Sequence, residues 1–258
     1  MAKRRLDTLL VDRGLAPDRE KAQALVMAGA VYVDQRPAPK PGTLIEEGIP
    51  LSVAERSRYV SRGGEKLDHA LNAFHLDVNG RVAADIGAST GGFTDCLLQR
   101  GATRVYAIDV GKGQLDYRLR KDPRVHVWEG VNARNLGPLR EPVDVITVDL
   151  SFISLRLVLA NVSGTFLPGT GDVIALFKPQ FEARKDEVPR GGVIRDPQLH
   201  STLIGRFAAW CVTNGFRILD LTGSPILGAE GNREFFFWLR PDLPSPGKGR
   251  GAGGEGSV

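Results

Sequence analysis

Four widely separated residues, Lys66, Asp149, Lys178 and Glu234, have the chemistry and the settings to activate a weak nucleophile. Lys178 ends the apolar run Val173-Ile174-Ala175-Leu176-Phe177, and Asp149 ends Val145-Ile146-Thr147-Val148. A charge closing such a run is no core residue; in a central strand it must emerge at the C-terminal edge. Pro179 stops the hydrogen-bond ladder there. Glu234 opens another apolar strand, and Lys66 lies early in a helix. Two lysines and two carboxylates suit group transfer to a hydroxyl such as that of a ribose. That hydroxyl is a poor nucleophile, so its proton must be accepted and its oxygen aimed. A lysine is a base only where burial or a second cation depresses its pKa. Lys66 supplies a second cation, whereas Asp149 and Glu234 oppose the shift and orient instead. The residues leave open which effect wins, and so whether Lys178 takes the proton or only directs the oxygen. Surface salt bridging is the plain alternative, with more room at Lys66 and Glu234, whose sequence context is weaker.

The turn Asp85-Ile86-Gly87-Ala88-Ser89-Thr90-Gly91-Gly92-Phe93 supplies a place for the donor. Asp85 ends one strand, and Gly87, Gly91 and Gly92 let the backbone pass close to a ligand before a helix begins. Its spacing, D-x-G-x-x-x-G-G, differs from the G-x-G-x-x-G of dinucleotide sites. A pyrophosphate wants three closely spaced glycines at a helix N-terminus. Ser89 and Thr90 better suit an amino-acid carboxylate and ammonium. Asp109 closes the next strand, about 20 residues on, where an acid hydrogen-bonds ribose hydroxyls. The implied ligand is S-adenosylmethionine, against a purely structural glycine turn or a nicotinamide site. Asn132, after the third strand, either faces the adenine or makes a turn.

Alternating elements position these residues. Strands are predicted at 82–86, 104–109, 125–128, 143–149 and 173–178, with helices at 92–100, 154–162 and 198–214 between them. Two late strands, 217–221 and 234–239, complete seven. Apolar strands alternating with helices predict a parallel sheet covered on both faces. The fold class is therefore α/β, a Rossmann-like seven-stranded sheet preceded by a small α+β domain. In that first domain, helices start at Leu6 and after Asp18, and short strands lie at 31–33 and 51–53. The boundaries read as 1–57 for the small domain, 58–64 for a linker, 65–241 for the sheet domain and 242–258 for a disordered tail. The aromatic run Phe235-Phe236-Phe237-Trp238 reads as a strand buried on both sides rather than a base-stacking surface.

The 258 residues are 42% hydrophobic and 25% charged, as in a soluble globular protein. No apolar run approaches the ~18–20 residues of a membrane span. No apolar segment follows the basic N-terminus, so no signal peptide is expected. The two cysteines, Cys96 and Cys211, are expected as reduced, buried thiols of a cytoplasmic protein. The four scattered histidines give no ligand spacing, and no metal is expected. The net charge of +4 is compatible with nucleic acid without establishing it. Placement says more: Arg4, Arg5, Arg19, Lys21 and Lys40 in the first domain, with Arg62, Arg134 and Lys185 near the cofactor side of the second, are the expected RNA contacts. Phosphate contacts position without reading sequence, so recognition of RNA shape is expected. For any single residue of this set, ordinary solvated charge is the competing reading.

With these blocks in place, residues 65–241 resemble the FtsJ/RrmJ-like RNA ribose 2′-O-methyltransferases, whose lysine–aspartate–lysine–glutamate tetrad falls on Lys66, Asp149, Lys178 and Glu234. The whole chain is similar to the TlyA family through Ser61-Arg62-Gly63-Gly64-Glu65-Lys66, Asp85–Thr94, Asp109-Val110-Gly111-Lys112, Asp149-Leu150-Ser151-Phe152, Lys178-Pro179-Gln180-Phe181-Glu182, Gly191-Gly192-Val193-Ile194 and Gly231-Asn232-Arg233-Glu234. The first domain resembles the ribosomal-protein-S-four type of RNA-binding domain. The resemblance implies 2′-O-methylation of a cytidine in 16S and/or 23S ribosomal RNA, within 30S and/or 50S subunits. It also implies a cofactor set of Asp85, Gly87, Ala88, Ser89, Gly91, Gly92, Phe93, Asp109, Val110, Asn132 and Asp149. A monomer without membrane association is expected. The competing reading is a non-catalytic RNA-binding protein of ribosome assembly, which would not need a lysine ending a central strand.

Overall fold

The computed structural model describes residues 3–27, 29–53, 58–136, 139–162, 171–228 and 231–241. The tail at 242–258 lies outside the described residues. Two compact units divide the chain, Met1–Arg58 and Tyr59–Val258.

In the first unit, α1 (Leu6–Asp12) and α2 (Arg19–Met27) follow the short strand β1 (Lys3–Arg5), then come β2 (Val31–Val33), β3 (Arg36–Pro37), β4 (Leu44–Glu46) and β5 (Leu51–Val53). Leu6 and Leu10, and Ala22 and Val26, are each four apart, so each pair faces inward from one helix side to meet Val31. Gly14 in the left-handed region ends α1, and the Asp18 carboxylate caps α2 by accepting from Lys21 N at 2.7 Å. β2 pairs antiparallel with β5, the two strands legible in the sequence, while β1, β3 and β4 are mostly exposed and carry no apolar pattern.

The second unit runs α3 (Arg62–Ala73), β6 (Val82–Ile86), α4 (Gly92–Gln99), β7 (Arg104–Asp109), α5 (Tyr117–Lys121), β8 (Val125–Glu129), a 3-10 turn (Ala133–Asn135), β9 (Val145–Val148), α6 (Arg156–Val162), β10 (Asp172–Phe177), α7 (Pro179–Glu182), α8 (Pro197–Thr213), β11 (Phe216–Gly223) and β12 (Phe235–Pro241). The sheet order is β11-β12-β10-β9-β6-β7-β8. β6 to β10 are parallel, and β12 runs antiparallel between β10 and β11. Successive residues alternate between two apolar layers: Val173, Ala175 and Phe177 on one face, Ile174 and Leu176 on the other. The aromatic run follows the same rule, Phe237 in one layer and Phe236 in the other, so it is packing. Cys211 and Cys96 are buried in opposite layers, and burial pushes the Cys211 thiol up to about 12.

Within the stretch expected as a linker, 58–64, residues 59–64 fall in this unit. Tyr59 is buried over Gly64, whose missing side chain makes room for the ring, and α3 already begins at Arg62. Opposite the cleft, at the N-terminal end of β10, buried Asp172 accepts from Arg81 (2.9 Å), Arg240 (2.8 Å) and Trp238 (2.7 Å).

Candidate active site

Strand register brings the four chemical residues together. Phe177, last in β10, pairs with Phe235, first in β12. Because β12 is antiparallel, its start meets the end of β10, and Glu234 reaches the edge that carries Lys178. Ile86 pairs with Val148, and Asp149 N donates to Ile86 O at 2.9 Å, so Asp149 sits beside the glycine turn. Lys66 comes from the first turns of α3.

The four form two pairs. Lys66 Nζ donates to Glu234 Oε2 at 2.5 Å, with the glutamate buried. Lys178 Nζ lies 2.6 Å from Asp149 Oδ1 and donates to Ser151 Oγ at 3.1 Å. The Asp149 contact is an ion pair rather than an aligned hydrogen bond, since Oδ1 is buried with no donor in hydrogen-bond geometry. Lys178 itself is 9% exposed. A cleft of about 500 Å³ is lined by all four together with Arg62, Gly87, Ala88, Ser89, Gly92 and Phe93. A second hollow of about 590 Å³, lined by Asp109, Val110, Asn132, Arg134 and Phe152 among others, shares Gly87, Ser89 and Asp149 with it. Both volumes are in the range of small-ligand sites.

Glycines set the backbone close approaches. At Gly87 (φ +88°) a Cβ would collide with the Asp149 carbonyl oxygen, and at Gly92 it would lie 2.8 Å from Gly64 N. Gly228 serves the chemistry more directly, because a Cβ there would come within 3.0 Å of Glu234 Cδ. Asp109 accepts from Ser89 N (2.8 Å) and Gly111 N (2.7 Å), fixing the carboxylate at the cleft wall. Asn132 Oδ1 accepts from Arg134 N at 3.0 Å, so Asn132 both makes the turn and lines the second hollow.

Two expected cofactor residues are elsewhere. Asp85 is fully buried and gives its oxygens to Thr94 Oγ1 (2.7 Å) and Thr147 Oγ1 (3.0 Å), lining neither hollow. Strand alternation puts it on the face opposite Ala84 and Ile86, under α4, not at the edge. Gly91 is a packing glycine: its Cβ would lie 2.8 Å from Leu115 Cδ1 and collide with Leu119. Burial raises the Asp85 carboxyl to about 7, with the Asp149 charge adding and both threonine hydroxyls opposing. Between about pH 4 and 7 the folded chain therefore keeps a proton there that the unfolded chain releases, so this group costs stability as pH rises through that window. Asp85→Asn removes the effect. In urea unfolding, the variant is expected to gain on the wild type between pH 5 and pH 8; a pH-independent difference between the two contradicts the assignment.

Of the expected RNA contacts, Arg62 lines the cleft and Arg134 lines the second hollow with Asn132. Lys185 is exposed and lines neither hollow. In the first unit, Arg4 pairs with Asp12 and Glu47, while Arg5 and Arg19 both hold buried Asp7. Lys21 is half-buried and Lys40 exposed. Lining residues outside the expected set include Ser151, next to Lys178, and Phe152, which has φ +66° and is 89% exposed. Their place two and three residues after a strand-ending aspartate is the signal that was available.

The FtsJ-like methyltransferase model matches residues 59–241, and the S4 domain model matches residues 4–48. The chain is 46% identical to the 16S/23S rRNA (cytidine-2′-O)-methyltransferase TlyA of Mycobacterium tuberculosis, over 93% of this chain and 91% of the relative. It is 40% identical to a protein named Hemolysin A from Brachyspira hyodysenteriae, over 90% and 97% of the two chains. A solved hemolysin-named structure from Streptococcus thermophilus superposes with a TM-score of 0.72 at 42% identity, covering 93% of this chain and 89% of that one. Among the described residues, no helix is long and apolar enough to cross a membrane. The chain belongs to the FtsJ-like methyltransferase family, with an S4 domain at its N-terminal end.

Proposed function

We propose that this protein is an S-adenosylmethionine-dependent methyltransferase of the cytoplasm that modifies the 2′-hydroxyl of a cytidine in 16S and/or 23S ribosomal RNA. The observation that carries the reading is the pair of lysine–carboxylate contacts, Lys178 with Asp149 and Lys66 with Glu234, in one cleft beside the glycine turn. The match to TlyA over nearly the whole chain supports the substrate class.

The residues fit the cofactor. Asp109, at the end of β7, presents a fixed carboxylate suited to ribose hydroxyls, and Asn132 offers an amide to a base. Gly87, Ala88 and Ser89 offer backbone close enough for an amino-acid tail. When bound, S-adenosylmethionine supplies an electrophilic methyl group. The chain's own part is to present the nucleophile. Lys178 orients the 2′-oxygen and, after giving to solvent the ammonium proton it holds in the ion pair with Asp149, receives the hydroxyl proton; Asp149 and Ser151 hold the amine in place, and the Lys66–Glu234 pair lines the same cleft.

Tritium transfer from labelled S-adenosylmethionine to purified 30S and 50S subunits tests this. Label is expected in the RNA of one or both subunits, alkali-resistant at the modified linkage because its 2′-oxygen is blocked. Cofactor binding without label in either subunit contradicts the substrate assignment.

A further inference from the structure

We propose that the loops carrying Lys178 and Glu234 form a phosphate-binding rim, in which Lys185, Arg190, Arg195 and Arg233 engage the backbone phosphates on either side of the target ribose. This deepens the RNA reading above and rests on it.

Where this unit's arginines serve the fold, carboxylates neutralise them: Arg81 and Arg240 share Asp172, Arg104 pairs with Glu141, and Arg100 with Asp68. On the α5 flank, Arg118 pairs with Asp116 and Arg120 with Glu129. Arg134, Arg140 and Arg217 form no ion pair with a described residue either; the rim cations are set apart by their place on the loops after Lys178 and before Glu234. Lys185, Arg190, Arg195 and Arg233 are all exposed, and none forms an ion pair with a described residue. Acids lie close in sequence but are committed elsewhere. Glu187 pairs with Arg206 and accepts from Arg184 N; Asp196 caps α8 through Gln198 N; Glu182 holds Ser154 and Leu155. Among the described residues close in sequence, only Asp186, also exposed, remains beside them.

These charges stand on fixed supports. Asn232, fully buried, accepts from Ile194 N and donates to Gly192 O, each at 2.9 Å, while its own carbonyl accepts from Gly228 N. The clip fastens the loop after Lys178 to the turn before Glu234. Arg195 follows Ile194 and Arg233 follows Asn232, so each arginine is one residue from the clip. Like charges on a rigid rim repel one another, and little further ordering is lost when an anion arrives.

Chemistry says which anion. A ribose within a polynucleotide carries a phosphodiester on both its 3′ and 5′ sides. Bringing its 2′-oxygen to Lys178 therefore brings two phosphates to the loops that hold Lys178 and Glu234. Arginine suits this task through its fixed fork of donors.

The test uses the full chain and measures Kd for 30S and 50S subunits across a salt series. For Arg190→Gln/Arg195→Gln/Arg233→Gln, the slope of log K against log salt is expected to weaken by roughly 0.9 per lost phosphate contact. At fixed low salt, Kd is expected to rise about tenfold or more. Tritiated S-adenosylmethionine binding should match the wild type, which shows an intact cleft. Arg190→Lys/Arg195→Lys/Arg233→Lys should keep most of the slope, and Arg140→Gln/Arg217→Gln, at the opposite edge, should keep all of it. An unchanged slope and Kd in the glutamine rim variant, or an equal loss in the opposite-edge variant, overturns the rim. A wild-type chain that binds cofactor but labels neither subunit overturns the underlying RNA reading instead.

Discussion

Replacing Lys178 by alanine is expected to slow single-turnover methyl transfer to ribosomal subunits by about 10²–10⁴-fold, with S-adenosylmethionine binding near the wild-type value. Lys178 Nζ is the cation nearest Asp149, at 2.6 Å, and is almost buried at the junction of β10 and α7. Its removal takes away the group that meets the 2′-oxygen, and it leaves the Asp149 carboxylate without its counter-ion. The proposed cofactor contacts, on the glycine turn, Asp109 and Asn132, are on other elements and stay in place. Lys178→Arg sharpens the point. Arginine keeps a charge and hydrogen-bond donors but does not give up its proton in proteins. If Lys178 receives the proton, this variant is as slow as alanine; if it only orients the oxygen, much of the rate returns. The first outcome is expected. Near-normal transfer by the alanine variant removes Lys178 from the chemistry altogether.

Gly87→Ala carries the second large effect, and it acts on fold and site together. Gly87 has φ +88°, a conformation that costs an L-residue roughly 1–2 kcal/mol. The new Cβ would also lie 2.9 Å from the Asp149 carbonyl carbon and press directly on its oxygen. These are backbone atoms of the neighbouring strand, so relief requires β6 and β9 to part or the turn to rotate. Overpacking of this kind adds about 1–3 kcal/mol. The summed loss of about 2–5 kcal/mol should lower the thermal midpoint by roughly 5–15 °C. Methyl transfer should fall more than stability alone explains, because Asp149 moves with the strand end. Gly191→Ala is the control. Its φ is +92°, but nothing lies within 4 Å of the added carbon. It should show the conformational cost without the collision and keep its activity in the folded fraction. Equal destabilisation of the two variants would mean that the close approach to Asp149 contributes nothing.

Much of the framework was legible because strand alternation leaves strong traces. Val173 to Phe177 followed by a lysine and a proline permits little but a buried strand ending at a functional edge. Glu234 is harder, since nothing local says that its strand is antiparallel; only the pairing of Phe235 with Phe177 brings it to Lys178. Asp85 and Gly91 show the opposite failure. Spacing placed them in the right turn, but a motif does not say which side of the backbone a residue faces. Thr94 and Thr147 took the Asp85 carboxylate, and Leu115 and Leu119 filled the space over Gly91. Residues 62–64 fall in the stretch read as a linker, yet α3 has begun at Arg62 and Gly64 admits the Tyr59 ring. The rim arginines were visible as letters. That they lack partners depends on where Glu187, Asp196 and Glu182 are spent, which only tertiary structure decides.

The place of β12 has a consequence for how this protein is made. It is the last described strand in the sequence, yet it lies inside the sheet between β10 and β11. β10 ends at Phe177 and β12 starts at Phe235, 58 residues later (235 − 177). At ~5–20 residues per second, a nascent chain waits roughly 3–12 s between finishing one and starting the other. During that interval one edge of β10 lacks its final partner, and an open strand edge is a template for mispairing. Lys66, 168 residues ahead of Glu234, waits roughly 8–34 s at the same rate for its carboxylate. Translation of this enzyme thus passes through a stage in which most of its sheet has been synthesised and its catalytic centre cannot yet exist.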